Sequence, residues 1–111
     1  MILCVPVTSD GLIAPGWGRA PRVAVVSAAD GQIGAWHEFG VGWDRLHDEG
    51  SEGSHHARVA RFLNDHHVEV VVVAQMGPGM TRMLTAMGIR VVLEARGDAR
   101  AAVLTALDPA G

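Results

Sequence analysis

The 111-residue chain has one cysteine, Cys4, and neither tyrosine nor lysine. A lone thiol excludes an intramolecular disulfide and sets the expectation of a reducing compartment. Positive charge is in deficit. Nine arginines against twelve carboxylates leave a formal charge of −3, without the basic excess that a nucleic-acid binder needs. No apolar run approaches the ~20 residues that span a bilayer. The opening Met1-Ile2-Leu3-Cys4-Val5 lacks the basic segment of a signal peptide. Neither nucleic acid nor membrane is an expected partner, and the expected location is cytoplasmic. Phosphate-binding signatures are missing too: no Gly-Lys-Ser/Thr follows Gly79, and Arg82 stands where a dinucleotide fingerprint needs its third glycine. No serine or cysteine reads as a nucleophile with a recognisable base beside it.

What remains is an apolar chain rich in glycine and histidine, long enough for one core and one domain over 1–111. Its most telling stretch is Val70-Val71-Val72-Val73-Ala74, a β-branched run of the kind a strand shows when both faces are covered. It stops in Gln75-Met76-Gly77-Pro78-Gly79, and a helical pattern follows directly. Such a loop brings bare backbone N–H groups and a positive helix end to the carboxyl edge of a sheet, where open α/β proteins hold anions.

Before it, Ile2 to Thr8, Arg22 to Ser27 and Gln32 to Phe39 read as strands, the last two joined by a hairpin turn at Asp30-Gly31. On the third strand Ile33, Ala35, His37 and Phe39 share one face, with Trp36 and Glu38 on the other. Residues 12–21 form a Gly/Pro-rich loop, and Gly40 to Gly53, with four glycines and four acids, is a second loop. Ser54 caps a helix running to about His66, with Val59, Ala60 and Leu63 inward. Val68 to Ala74 is the buried strand. A short helix after Gly79 carries Met80, Met83, Leu84 and Met87 on one stripe and ends at Gly88. Ile89 to Glu94 is a fifth strand. A last helix, Asp98 to Leu107, turns Ala99, Val103, Leu104 and Leu107 inward, with Pro109 beyond its end. The order β-β-β-α-β-α-β-α implies an α/β three-layer domain on a five-stranded mixed sheet, its first strands antiparallel and its later ones parallel, with helices on both faces.

Gly18-Arg19-Ala20-Pro21, Asp30-Gly31, Gly77-Pro78-Gly79 and Gly88-Ile89-Arg90-Val91, in this order and spacing, resemble the dinitrogenase iron-molybdenum cofactor biosynthesis family. The resemblance spans nearly the whole chain. It implies a ribonuclease-H-like fold and a small domain that binds and carries an iron–sulfur or iron–molybdenum cluster, in the setting of nitrogen fixation. Where the family reads His-Phe-Gly-Arg this chain has Gly16-Trp17-Gly18-Arg19, so an aromatic and the arginine carry over and the histidine does not. Nucleases of such a fold place a carboxylate inside the first strand. Here that interior is Cys4-Val5-Pro6-Val7, and Asp10 comes only after its end, so the chain reads as non-enzymatic.

The expected anion site joins Arg19, Gly77, Gly79, Thr81 and Arg82: backbone N–H groups, a hydroxyl and two guanidinium groups. Trp17 either plugs its loop or walls a pocket. His55 and His56 fall in the first turn of their helix, where the dipole keeps imidazole neutral and able to offer a lone pair. They diverge by about 100°, so one of them, not both, is the candidate metal contact. His66 and His67 lie about 16 Å further on, and no histidine pair has i, i+4 spacing, so a tetrahedral zinc site is not built. His37 and His47 read as solvated or structural, Cys4 as a buried inert thiol, and Met76 as the thioether nearest a ligand. The leading expectation is a non-enzymatic carrier for an anionic metal cluster, monomer or homodimer, working with cluster-donor or acceptor proteins. The alternative is a protein-interaction or dimerisation module of the same fold with no cluster. Both turn on whether loops 16–19 and 77–79 meet on one rim.

Overall fold

The computed structural model describes residues 1–108 of the chain; the Pro109 expected beyond the last helix lies outside the described residues. Five strands form one mixed sheet in the order β3-β2-β1-β4-β5, with β1 Ile2–Pro6, β2 Arg22–Ala29, β3 Gln32–Gly40, β4 Val70–Val72 and β5 Arg90–Val92. β1, β2 and β3 pair antiparallel, whereas β1, β4 and β5 run parallel. α2 (Glu52–Asp65) and α3 (Pro78–Ala86) cover one face of this sheet, and α4 (Ala99–Leu107) covers the other.

The valine run behaves as its composition requires. Val71 and Val73 point into the core under α2 and α3, while Val70 and Val72 point into the core under α4. Each such side chain, removed from water, contributes on the order of 1.5–3 kcal/mol. β1 alternates in the same way, with Cys4 on one side and Leu3 and Val5 on the other. The regular ladder is shorter than the apolar run, but backbone bonds from Glu69 N–H to the Ile2 carbonyl and from Val73 N–H to that of Val92 extend it at both ends.

Several elements differ from the sequence expectation. The register between β2 and β3 shifts between Ser27 and Ala28, where Ser27 faces Ala35 and Ala28 faces Ile33, leaving Gly34 as an extra residue on β3. That bulge turns Ile33 to the side of Trp36, away from Phe39. Within the glycine- and acid-rich 40–53 segment a one-turn helix, α1 (Trp43–Leu46), forms because Trp43 is driven into the core. α2 begins three residues earlier than expected: Ser51, rather than Ser54, is its N-cap and accepts from the Ser54 N–H at 3.1 Å. Met87 and Leu104, expected inward, are exposed, since α3 and α4 bury only narrow stripes (Met80 and Leu84; Ala99 and Val103). The predicted stop at Gly88 holds. Its φ is +79°, and the N–H groups of Gly88 and Ile89 return to the carbonyls of Thr85 and Leu84.

Candidate functional site

Two connections position the site. Beyond β1 the chain folds back, with Ala14 N–H bonded to the Pro6 carbonyl, and releases residues 15–21 above the sheet edge. That loop is tied down by Trp43 N–H on the Ala20 carbonyl and Gly42 N–H on that of Pro21. Beyond β4, residues 75–77 lead into α3. The two loops meet on one rim, at the carboxyl ends of β1 and β4, around a cavity of about 540 Å³. The start of α2 closes its side through Glu52, His55 and His56.

Four cavity-lining glycines, 16, 18, 77 and 79, leave the backbone bare. Glycines such as Gly77 and Gly79 can serve a left-handed turn by taking a positive φ. They do not: Gly77 has φ −67° and Gly79 is not among the positive-φ residues. A Cβ on Gly16, Gly18 or Gly77 would meet nothing within 4 Å, and one on Gly79 would touch only His56 Cε1 at 3.4 Å. These glycines keep space open. Gly77 caps α3 without a side-chain acceptor, and Pro78 has no N–H, so the N–H groups of Gly79 and Met80 have no partner within the helix.

Trp17 is 2 % exposed and packs edge-on against Trp43 with ring centroids 5.1 Å apart, so it is at once plug and cavity wall. Its Nε1 is buried with no hydrogen-bond partner among the described residues.

The two adjacent histidines separate. His55 is 2 % exposed, and both ring nitrogens are engaged. Arg58 only donates, so Nδ1 accepts from its guanidinium at 2.9 Å, and Nε2 carries the proton donated to the Gly18 carbonyl at 2.7 Å. No lone pair is left for a metal in this arrangement. Burial lowers its pKa from the ordinary histidine value; the Gly18 carbonyl opposes that shift, and neighbouring His47, Arg58 and His56 add to it. The neutral ring ties the 16–19 loop to α2. His56 lines the cavity, half-buried, with Nε2 3.8 Å from Glu52 Oε1.

Arg19 reaches the rim, but its guanidinium lies 3.5 Å from Asp48 Oδ1. Thr81 and Arg82 are not among the lining residues. The Thr81 hydroxyl donates to the Gly77 carbonyl at 2.9 Å, and Arg82 is exposed on α3. Met76 and Met80 both line the cavity. So does His47, read from sequence as solvated or structural: α1 brings its ring to 5.0 Å from that of His55. The signal for it was the Trp43–Leu46 spacing of one helical turn, masked by the surrounding glycines. His66 instead packs on Phe62 and Phe39 with centroids at 4.4 and 4.8 Å. Cys4 is fully buried, which pushes its thiol pKa up. Among the described residues no group of three His, Cys, Asp or Glu side chains converges as a metal site. The arrangement offers the N–H donors at the start of α3 to an anion.

A family model described as dinitrogenase iron-molybdenum cofactor matches residues 1–108. The orange protein of Desulfovibrio gigas, solved in its apo form, is 26% identical with a TM-score of 0.75, over 96% of this chain and 87% of that one. The crystal structure of PH0822 (16% identity, TM-score 0.77, 96% and 88% covered) has the same fold. So does the NMR structure of the Thermotoga protein TM1290, at 19% identity and a TM-score of 0.61, with 92% and 83% covered. Comparison with curated protein sequences finds no match.

Proposed function

This chain belongs to the dinitrogenase iron–molybdenum cofactor family, and we propose that it is a non-catalytic carrier whose cargo is an anionic metal–sulfur cluster of the iron–sulfur or iron–molybdenum type. The observation that carries the reading is the bare rim. Four glycines face one cavity, none of the four is held there by backbone conformation, and three have open space where a side chain would stand. Sulfide and similar acceptors suit such a surface, because N–H groups at a helix start stabilise negative charge without any side chain having to be ordered. The residues present therefore fit an anionic cargo.

Each part has a separate task. Gly79 and Met80 N–H groups and the positive end of α3 hold charge, Arg19 adds a cation at the mouth, and His56 is the one imidazole of the adjacent pair placed to touch metal. Met76 and Met80 add soft, polarisable walls. Thr81 acts through the helix, fixing the Gly77 carbonyl, and Arg82 contributes only long-range charge. Few side-chain ligands means moderate affinity, which suits transfer between a cluster donor and an acceptor protein. The orange protein, whose structure was determined for an apo form, supports a family role in holding a separable group.

The test is anaerobic titration of the purified chain with tetrathiomolybdate, followed by absorption and by tryptophan fluorescence, since Trp17 forms part of the wall. Saturable one-to-one binding with quenching is expected. Gly18→Val and Gly77→Val, which put a side chain into open space, should abolish it while the melting temperature stays within a few degrees. His56→Ala should weaken it. No spectral change in the unmutated protein refutes the carrier reading. It would favour an interaction module instead, for which exposed Leu93 and Leu104 on the β5–α4 side are the supporting observation.

A further inference from the structure

Asp48 sits outside the cavity lining, yet its Oδ1 touches two residues that belong to it. Arg19 Nη2 is 3.5 Å away and His47 Nδ1 is 3.3 Å away. Arg19 is the one arginine among the lining residues, so a single carboxylate oxygen neutralises the cavity's permanent cation. The contact has the geometry of a competitor, not of a support. A carboxylate that orients an arginine does so through short, paired hydrogen bonds. This one is single, long and solvent-exposed, with 60 % of the Arg19 and 72 % of the Asp48 side chain accessible. Such a pair holds a side chain loosely and breaks at little cost.

The segment that delivers Asp48 links α1 to α2, and Arg58 of α2 holds its Leu46 carbonyl at 3.2 Å. It runs between two left-handed glycines, Gly42 at φ +64° and Gly50 at φ +81°, and is anchored at its start by the buried Trp43. Asp48 lies at the far end from that anchor. We infer that Asp48 is an affinity-setting residue that competes with anionic cargo for the Arg19 guanidinium, so that cargo capture exchanges the Asp48 carboxylate for the cargo as the partner of that cation. This rests on the carrier reading and adds its release step: as cargo leaves, Asp48 retakes the cation, and a returning anion meets a neutralised Arg19.

The exchange is read from four proteins, the unmutated chain, Asp48→Asn, Arg19→Met and the double variant, each titrated with tetrathiomolybdate at 20 mM and 300 mM sodium chloride (about 20 Å and 6 Å of screening length, respectively). All substituted side chains are exposed, and circular dichroism checks that each variant folds. Asp48→Asn is expected to tighten binding by about two- to fivefold at low salt, the range of one exposed ion pair. That gain should shrink at high salt and vanish in the Arg19→Met background. Weaker binding in Asp48→Asn overturns the inference and makes Asp48 a support for Arg19. An equal gain with and without Arg19 also overturns it, leaving plain charge repulsion. If the unmutated chain binds no thiomolybdate, the carrier reading fails and the exchange falls with it. If it binds and Asp48→Asn changes nothing, only the exchange fails.

Discussion

Replacing His55 by alanine separates a structural imidazole from a ligand imidazole. The ring is 2 % exposed, donates to the Gly18 carbonyl at 2.7 Å and accepts from Arg58 at 2.9 Å. Truncating a buried side chain of this size costs about 2–5 kcal/mol when the site does not collapse. Part of that cost is the orphaned Gly18 carbonyl, worth about 1–3 kcal/mol by itself if no water reaches it. Arg58 loses less, because its guanidinium also donates to the Leu46 carbonyl at 3.2 Å. A total near 3 kcal/mol is expected, a large share of the ~5–15 kcal/mol that stabilises a domain. For a chain of this length it lowers the melting temperature by about 10 °C.

The same substitution carries a pH signature. His55 has a lowered pKa in the folded protein, chiefly through burial. As pH falls through about 6.5 the unfolded chain takes up a proton that the native ring still refuses. The unfolded state then binds more protons, so this contribution to stability is complete above that pH and declines below it toward the folded pKa. His55→Ala has no such component. The stability gap between the two proteins should therefore be widest above pH 7 and narrow toward pH 5, as urea titrations at a series of pH values would show. A variant that melts normally but no longer binds thiomolybdate would refute the tie and restore His55 as a ligand. A gap that widens on acidification would refute the linkage argument.

Two further outcomes are expected. His67 ends α2 at φ +56°, a left-handed position that costs a side chain roughly 1 kcal/mol, so His67→Gly should raise stability by about 0.5–1 kcal/mol in urea titration; no gain would mean that the ring makes an offsetting contact. Cys4, fully buried and with its pKa pushed up, should react with a thiol reagent only after unfolding, and fast modification of the native protein would contradict its place in the core.

Local chemistry made several features readable in advance. Asp30-Gly31 announces the tight hairpin and is found with both φ values positive, 55° and 73°. The unbroken valines announce a strand covered on both sides, and Gly88 announces the end of α3. The less legible features depend on partners remote in sequence. The Gly34 bulge exists because Ser27 Oγ takes the Ala35 N–H at 3.0 Å and shifts the ladder, which no alternation pattern reveals. α1 is a single turn held by Trp43 against Trp17 and Phe62, contacts that span 26 and 19 residues of chain (43 − 17 and 62 − 43). Within the candidate site, the two glycine loops were legible as the two sides of one rim, which the parallel pairing of β1 with β4 brings together. The division of labour between His55 and His56 was not.

From the sequence alone came the element order, the mixed α/β class, the two loops that bring backbone to one sheet edge, and the family resemblance, because turn residues, apolar periodicity and motif spacing are properties of neighbours along the chain. The tertiary structure decided which imidazole stays free, why Gly77 is bare, and where Arg19 rests. Those depend on what stands opposite each group: a Gly18 carbonyl, an open space, an Asp48 carboxylate. Such pairings follow from the packing of the sheet and its helices, and the burial they create also sets the protonation of His55.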